Sequence, residues 1–267
     1  MTSLRPSKQS SPAEPMSIYA TVAWISMLAT AGLMPIVVAL GKGLAVGFAD
    51  EPYHLPKLVL LTLGLSVATV AWLADVIVTR KDFRLGAVLI PAATFAVLVG
   101  VSTIVSPAPV SAFFGAIGLS TGAATWLLCI WWLFLVSQYL DSPTRIAQLS
   151  WALVAGCAAA ALVALLGAVG ADPLKTPFAP NSAWMVGQGM GTTGNPNFTG
   201  LLLVVPVLVA IGLGVVAKTR LLKYIAFGLA GVMGVALIIT LARAAAVGAA
   251  IAIGILALAQ GKKLFAS

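Results

Sequence analysis

Residues 189–200 read GMGTTGNPNFTG. Gly189, Gly191 and Gly194 form a literal G-x-G-x-x-G, the pattern that cradles a dinucleotide pyrophosphate when a strand precedes it and a helix follows within a βαβ unit. The flanks decide between that reading and another. Upstream lies ADPLKTPFAPNSAWMVGQ (171–188), which is polar and proline-rich, and downstream lies an apolar run about long enough to cross a bilayer. No strand and no βαβ unit can be placed here, so the dinucleotide reading fails. What remains is a glycine-bearing loop feeding an apolar helix, with Asn195 as N-cap and Pro196 in the first turn. Such a helix start presents free amide N–H groups and a positive dipole end, which favours an anion, and glycine lets a ligand approach the backbone. The plain alternative is a capped helix after a loop.

The whole composition agrees with an apolar helical chain. Of 267 residues, 61% are hydrophobic and 8% charged, with a mean hydropathy of +1.08. A soluble domain carries roughly 25% charged residues, and so few charges cannot cover a globule of this size. The chain is expected to be an all-α, polytopic integral membrane protein. The net charge of +8 does not indicate nucleic acid, because the basic residues punctuate the apolar runs instead of forming a patch. Cys129 and Cys157 both fall inside such runs, as small hydrophobes do.

About eight spans are expected, near 17–41, 57–78, 85–105, 119–140, 149–169, 197–217, 221–241 and 243–260, each close to the ~20 residues that cross a bilayer. Residues 1–16 read as a disordered cytoplasmic tail, and 17–267 as a single transmembrane helical domain. The first run is too long for a signal-peptide core. Placing the N-terminus inside puts Arg5, Lys8, Arg80, Lys81, Arg84, Arg145, Lys218, Arg220, Lys223, Lys262 and Lys263 on the cytoplasmic side. Only Lys42, Lys57, Lys175 and Arg243 of the fifteen basic residues then face outward. That bias supports an N-in, C-in topology.

Several outward residues are candidates for chemistry. Arg243, in TLARAAAVG, sits at the boundary between two spans. A charge within a span costs roughly 2.5–3.5 kcal/mol on insertion scales and points to function, the alternative being a snorkelling side chain at a tight turn. Lys57 follows Pro56 and reads as an interfacial anchor or a second cation. His54, the sole histidine, is a candidate for proton transfer or a solvated loop residue. Ser102–Gly118 reads as an interfacial or re-entrant piece, with Gly118 and Gly122 as a close-packing pair. Asn197-Phe198-Thr199 matches a glycosylation acceptor but lies at the membrane edge. No metal-ligand spacing, P-loop or cofactor motif is present.

Four stretches, in order, resemble the O-antigen ligase and O-antigen polymerase superfamily of bacterial inner-membrane proteins. They are FADEPYHLPKLVLL, VSTIVSPAPVSAFFGAIGLSTG, GADPLKTPFAP through GTTGNPNFTG, and TLARAAAVG. They share one membrane face, and together they cover nearly the whole chain. The resemblance implies handling of an undecaprenyl-diphosphate-linked glycan at the outer face of the inner membrane, by inverting transfer without a metal or other cofactor. It implies that Arg243 contacts the diphosphate, with Gly194, Asn195 and Asn197 at the helix start nearby and Lys57 on the same face. Membrane lipid and a lipid-linked oligosaccharide would be the partners, and nucleic acid would not.

The pattern departs from the family in three ways. Leu119 stands in the short loop where many relatives carry arginine, and Ala242 where serine is usual. Relatives also continue into a large external loop bearing arginine and histidine. The expectation is therefore an enzyme incomplete by itself, either the N-terminal part of a longer enzyme or one half of a split one, with a second polypeptide supplying that loop. The alternative is a non-catalytic subunit of a larger membrane complex. A small-solute transporter is disfavoured by the scarcity of polar residues in the spans and the lack of an inverted repeat.

Overall fold

The computed structural model describes residues 16–38, 53–80, 82–84, 86–115, 121–171, 173–174 and 189–264, with side chains through 258. The expected tail, Asp50, Glu51, Lys175 and Gly118 fall outside the described residues, apart from Met16. The described residues are helical throughout, without a strand. In order the helices are α1 (Ile18–Leu33), α2 (Leu55–Thr79), α3 (Leu89–Ile104), α4 (Pro109–Phe114) and α5 (Ala123–Tyr139). They continue as α6 (Pro143–Ala168), a 3₁₀ turn at Gly191–Thr193, α7 (Pro196–Val216), α8 (Arg220–Ile239) and α9 (Arg243–Leu264).

Local chemistry sets the starts. Ser17 caps α1 by accepting from the Ala20 amide at 3.0 Å. Asn195 caps α7 through the Asn197 amide at 2.9 Å, with Pro196 in the first turn. Thr219 caps α8 through Leu222. Ser142 caps α6, followed by Pro143. This cap starts α6 six residues before the apolar run, at 149, would suggest, because polar Gln148 and Arg145 are carried on its first turns. At the other extreme, α1 stops at Leu33; Met34 still has helical dihedrals and donates to the Thr30 carbonyl, but Pro35 has no amide N–H to continue the ladder.

Among the described residues, four helices are long and apolar enough to cross a membrane: α2, α6, α7 and α8. α1, α3, α5 and the Arg243–Leu258 part of α9 are apolar but shorter.

Packing is inverted relative to a protein in water. The buried positions are mostly small: Ala20, Ala23, Ala68, Ala158, Ala161, Ala210 and Ala236, with Met27, Leu135, Leu203 and Met233 between them. The large aliphatics turn outward, as at Ile77 (74% exposed), Ile104 (78%) and Leu258 (72%). Small residues let helix backbones approach, which is how helices associate where no water drives burial. A Cβ on Gly156 would strike the Gly32 backbone, and one on Gly64 would strike Thr30 Oγ1. Two cores result. One joins α1, α2 and α5. The other joins α6, α7 and α8.

Contacts fix directions. α1 and α2 run antiparallel, paired by Ser17 with Asp75, Ser26 with the Gly64 carbonyl and Val37 with Lys57. α7 and α8 are antiparallel too, since Gly200 faces Thr240 and Gly214 faces Phe227. The polar groups consequently gather at two ends. One end holds Ser17, Asp75, Arg84, Gln138, Asp141 and Arg145. The other holds Lys57, His54, the 190–197 turn and Thr240–Arg243.

Candidate functional site

The second end is organised by the GMGTTGNPNFTG stretch. Gly191 and Gly194 adopt positive φ, +57° and +68°, conformations open to glycine at no steric cost. A Cβ on Gly194 would enter the Tyr53 ring, and one on Gly191 would crowd Ala164 and Thr199. These two glycines therefore serve a tight turn packed against α6 and the start of α2. Threonines complete it. Thr192 Oγ1 donates to the Pro35 carbonyl at 2.5 Å. Thr193 and Thr199 hydroxyls meet at 2.6 Å, and Thr199 Oγ1 reaches the Met190 carbonyl at 2.5 Å. Thr199 is buried and committed to this turn, whereas Asn197 two residues before it is exposed.

Lys57 ties the site together. Its ammonium donates to the carbonyls of Val37 (2.7 Å), Tyr53 (3.1 Å) and Thr192 (2.7 Å). An ammonium has three N–H donors, and here three carbonyls from three separate segments face them. The sequence allows an anchor or a cation for a ligand. The geometry makes Lys57 a clamp that joins the end of α1, the start of α2 and the turn before α7.

Arg243 is the first residue of α9 and is exposed. A cation there faces the positive end of its own helix, an unfavourable placement. Among the described residues it forms no ion pair. It follows a sharp turn in which Leu241 has φ +55° and the buried Thr240 hydroxyl accepts from the Ala242 amide at 3.3 Å. Gly200 lets this turn close on α7, since a Cβ there would come within 2.5 Å of Ala242 Cβ and 2.9 Å of Thr240 Oγ1. As a result Asn197 and Arg243, 46 positions apart by number, line one cleft of about 470 Å³. The remaining lining is Leu237, Ile238, Thr240, Leu241, Ala242 and Ala246. The starts of α7 and α9 both open on it.

On the other side of the α7 start, Phe198 lines a second cavity of about 600 Å³, shared with His54, Lys57, Thr193, Met34, Leu61, Cys129, Trp132, Leu153, Leu201 and Leu202 among others. His54 packs edge-on against Phe198, with ring centroids 5.7 Å apart. Most of the wall is aliphatic or aromatic. The buried Trp132 Nε1 has no hydrogen-bond partner among the described residues.

The structure thus brings Asn197 and Arg243 to one side of the α7 start and His54 and Lys57 to the other, with Asn195 capping the helix and Gly194 shaping the turn between. The threonine cluster, Phe198 and Trp132 are not singled out by sequence reasoning. The Thr-Thr pair between two glycines was the available signal. Among the described residues no group of three or more His, Cys, Asp or Glu side chains could hold a metal ion. No family model matches the chain, and no curated protein or solved structure matches it either.

Proposed function

We propose that the chain is a multi-pass protein of the bacterial inner membrane, with eight spans and both termini cytoplasmic, that holds an undecaprenyl-diphosphate-linked glycan at the outer face in the manner of O-antigen ligases and polymerases. The observation that carries this reading is the convergence of Arg243 and Asn197 on one cleft where two helices begin. The positive dipole ends of α7 and α9 favour an anion there, and the ill-placed charge of Arg243 gains a purpose when a diphosphate sits before it. The apolar cavity across Phe198 suits the start of a polyprenyl chain. One helix start then divides a charged headgroup site from an apolar one, as an amphiphile requires.

Eight spans fit the helix set if the shorter helices are extended by their apolar flanks. At 1.5 Å per residue a 16-residue helix such as α1 reaches about 24 Å of the ~30 Å hydrocarbon core. Ile36 and Val37 continue α1 as turn and extended chain, and Val105 continues α3. The basic residues then fall mainly on the end bearing Arg84 and Arg145.

In glycosyl transfer by this site, Arg243 and the two helix starts would stabilise the diphosphate as it leaves the anomeric carbon, an electrostatic contribution of several kcal/mol when donors are pre-placed. A base must take the acceptor's proton. The described residues lining the Arg243 cleft include no carboxylate and no imidazole. In this reading the base is supplied from elsewhere, by the rest of a longer enzyme or by a second polypeptide; the second reading is a binding subunit of a larger membrane complex. The test is binding of undecaprenyl diphosphate to purified protein. Arg243→Ala is expected to weaken it at least tenfold, the order of one lost charge-assisted contact, while Arg145→Ala leaves it unchanged. Equal effects of the two substitutions would overturn the assignment.

A further inference from the structure

The opposite end of the helical array carries a cavity of about 430 Å³ that the proposed function leaves unused. Its construction is specific. Gln138 clasps the backbone of Arg84 with two hydrogen bonds, accepting from its amide at 3.0 Å and donating to its carbonyl at 3.0 Å. Arg84 and Arg145 both reach the same oxygen, Asp141 Oδ2, at 3.3 and 3.0 Å. Arg145 also donates to the Tyr139 carbonyl at 2.8 Å. Each guanidinium has five N–H donors, more than these contacts use, and both arginines line the cavity.

Deeper in, Tyr139 is 4% exposed and lines the cavity. It lies beside the Asp75 carboxylate, which accepts from Ser17 Oγ at 2.5 Å. Asp82 lines the same cavity and is exposed.

Both signs of charge therefore face one space. A purely anionic group would meet Asp75, Asp82 and Asp141, and a purely cationic one would meet two guanidiniums. We propose that this cavity holds a zwitterionic aminoalkyl phosphodiester, the headgroup of phosphatidylethanolamine, with its phosphate at Arg84 and Arg145 and its ammonium toward Asp82 and the Tyr139 hydroxyl. Basic clefts between transmembrane helices take lipid phosphates in this way, and an ammonium supplies the N–H donors that carboxylates and a phenol oxygen accept. Met16, Ala20 and Val76 give the cavity an apolar wall. The adjoining residues Tyr19 and Ala74 line an apolar groove between α1 and α2, of about 460 Å³, open to an acyl chain.

The test is native mass spectrometry of the full chain after exchange into equimolar phosphatidylethanolamine, phosphatidylcholine and phosphatidylglycerol. The expected result is severalfold preferential retention of phosphatidylethanolamine. Asp82→Asn should bring it level with phosphatidylglycerol, and Arg84→Gln should reduce retention of all three. Both side chains are exposed, and an unchanged unfolding temperature would show that the fold persists. If Asp82→Asn lowers that temperature, Arg84→Gln alone decides. Equal retention of the choline lipid, a preference for phosphatidylglycerol, or a preference intact in Arg84→Gln would overturn the site. Soluble glycerophosphoethanolamine should compete only weakly with the lipid. Equal competition would assign the cavity to a free headgroup compound and overturn the lipid as its source.

Discussion

The Lys57 ammonium lies 2.7 Å from the Thr192 carbonyl oxygen across 135 residues of sequence, and through it the start of α2 holds the turn that begins α7. Lys57→Met keeps the stem but leaves the carbonyls of Val37, Tyr53 and Thr192 without this donor. With charge-assisted hydrogen bonds worth about 1.5–3 kcal/mol each, the variant is expected to lose about 3 kcal/mol, read as a lower unfolding temperature in detergent. Lys57→Arg should not restore it, because a planar fork cannot address three carbonyls as a compact ammonium does.

Gly194 has φ +68° with its Cα facing the Tyr53 ring. Gly194→Ala combines a left-handed alanine with a steric clash, and strain of this kind costs of order 1–3 kcal/mol. Pairing it with Tyr53→Ala should recover part of that loss. Thermal unfolding of the two single variants and the double variant reads the coupling, and strict additivity would contradict the contact.

Much of this was legible in the sequence, and the rest was not for physical reasons. Asn195-Pro196 marked the α7 start because cap and first-turn chemistry is local. The proximity of Asn197 and Arg243 could be expected only from a family pattern, since it depends on how Gly200 lets α7 approach the α8–α9 turn. The role of Lys57 as a clamp was hidden because its partners are backbone carbonyls, which leave no trace in residue identity. The first end was missed for a similar reason. Asp75 is a single acidic residue in a long apolar helix, and only the fold brings Ser17, Tyr139 and two arginines around it.

Gly200→Val tests the cleft without touching a charged group. The added side chain would push the Thr240–Ala242 turn from α7 and separate Asn197 from Arg243. Undecaprenyl diphosphate binding should fall by about tenfold, equivalent to 1.4 kcal/mol, with far-ultraviolet circular dichroism retaining the helical content. Unchanged binding would show that the convergence of the two helix starts is not required.

Topology is open to direct labelling. In a background with Cys129 and Cys157 replaced by alanine, Leu241→Cys and Ser142→Cys place single thiols at opposite ends of the array. A membrane-impermeant maleimide applied to intact spheroplasts is expected to modify the first and spare the second. Modification of both from the same side would contradict the eight-span arrangement.

Native mass spectrometry of the protein extracted gently from its own membrane addresses the proposed function most directly, because chain, lipid and partners are weighed together. A mass increment matching an undecaprenyl-diphosphate-linked glycan, retained by the natural chain and lost in Arg243→Ala, is the expected result. A chain free of any lipid diphosphate, or one that keeps it undiminished in Arg243→Ala, would contradict the assignment of the cleft.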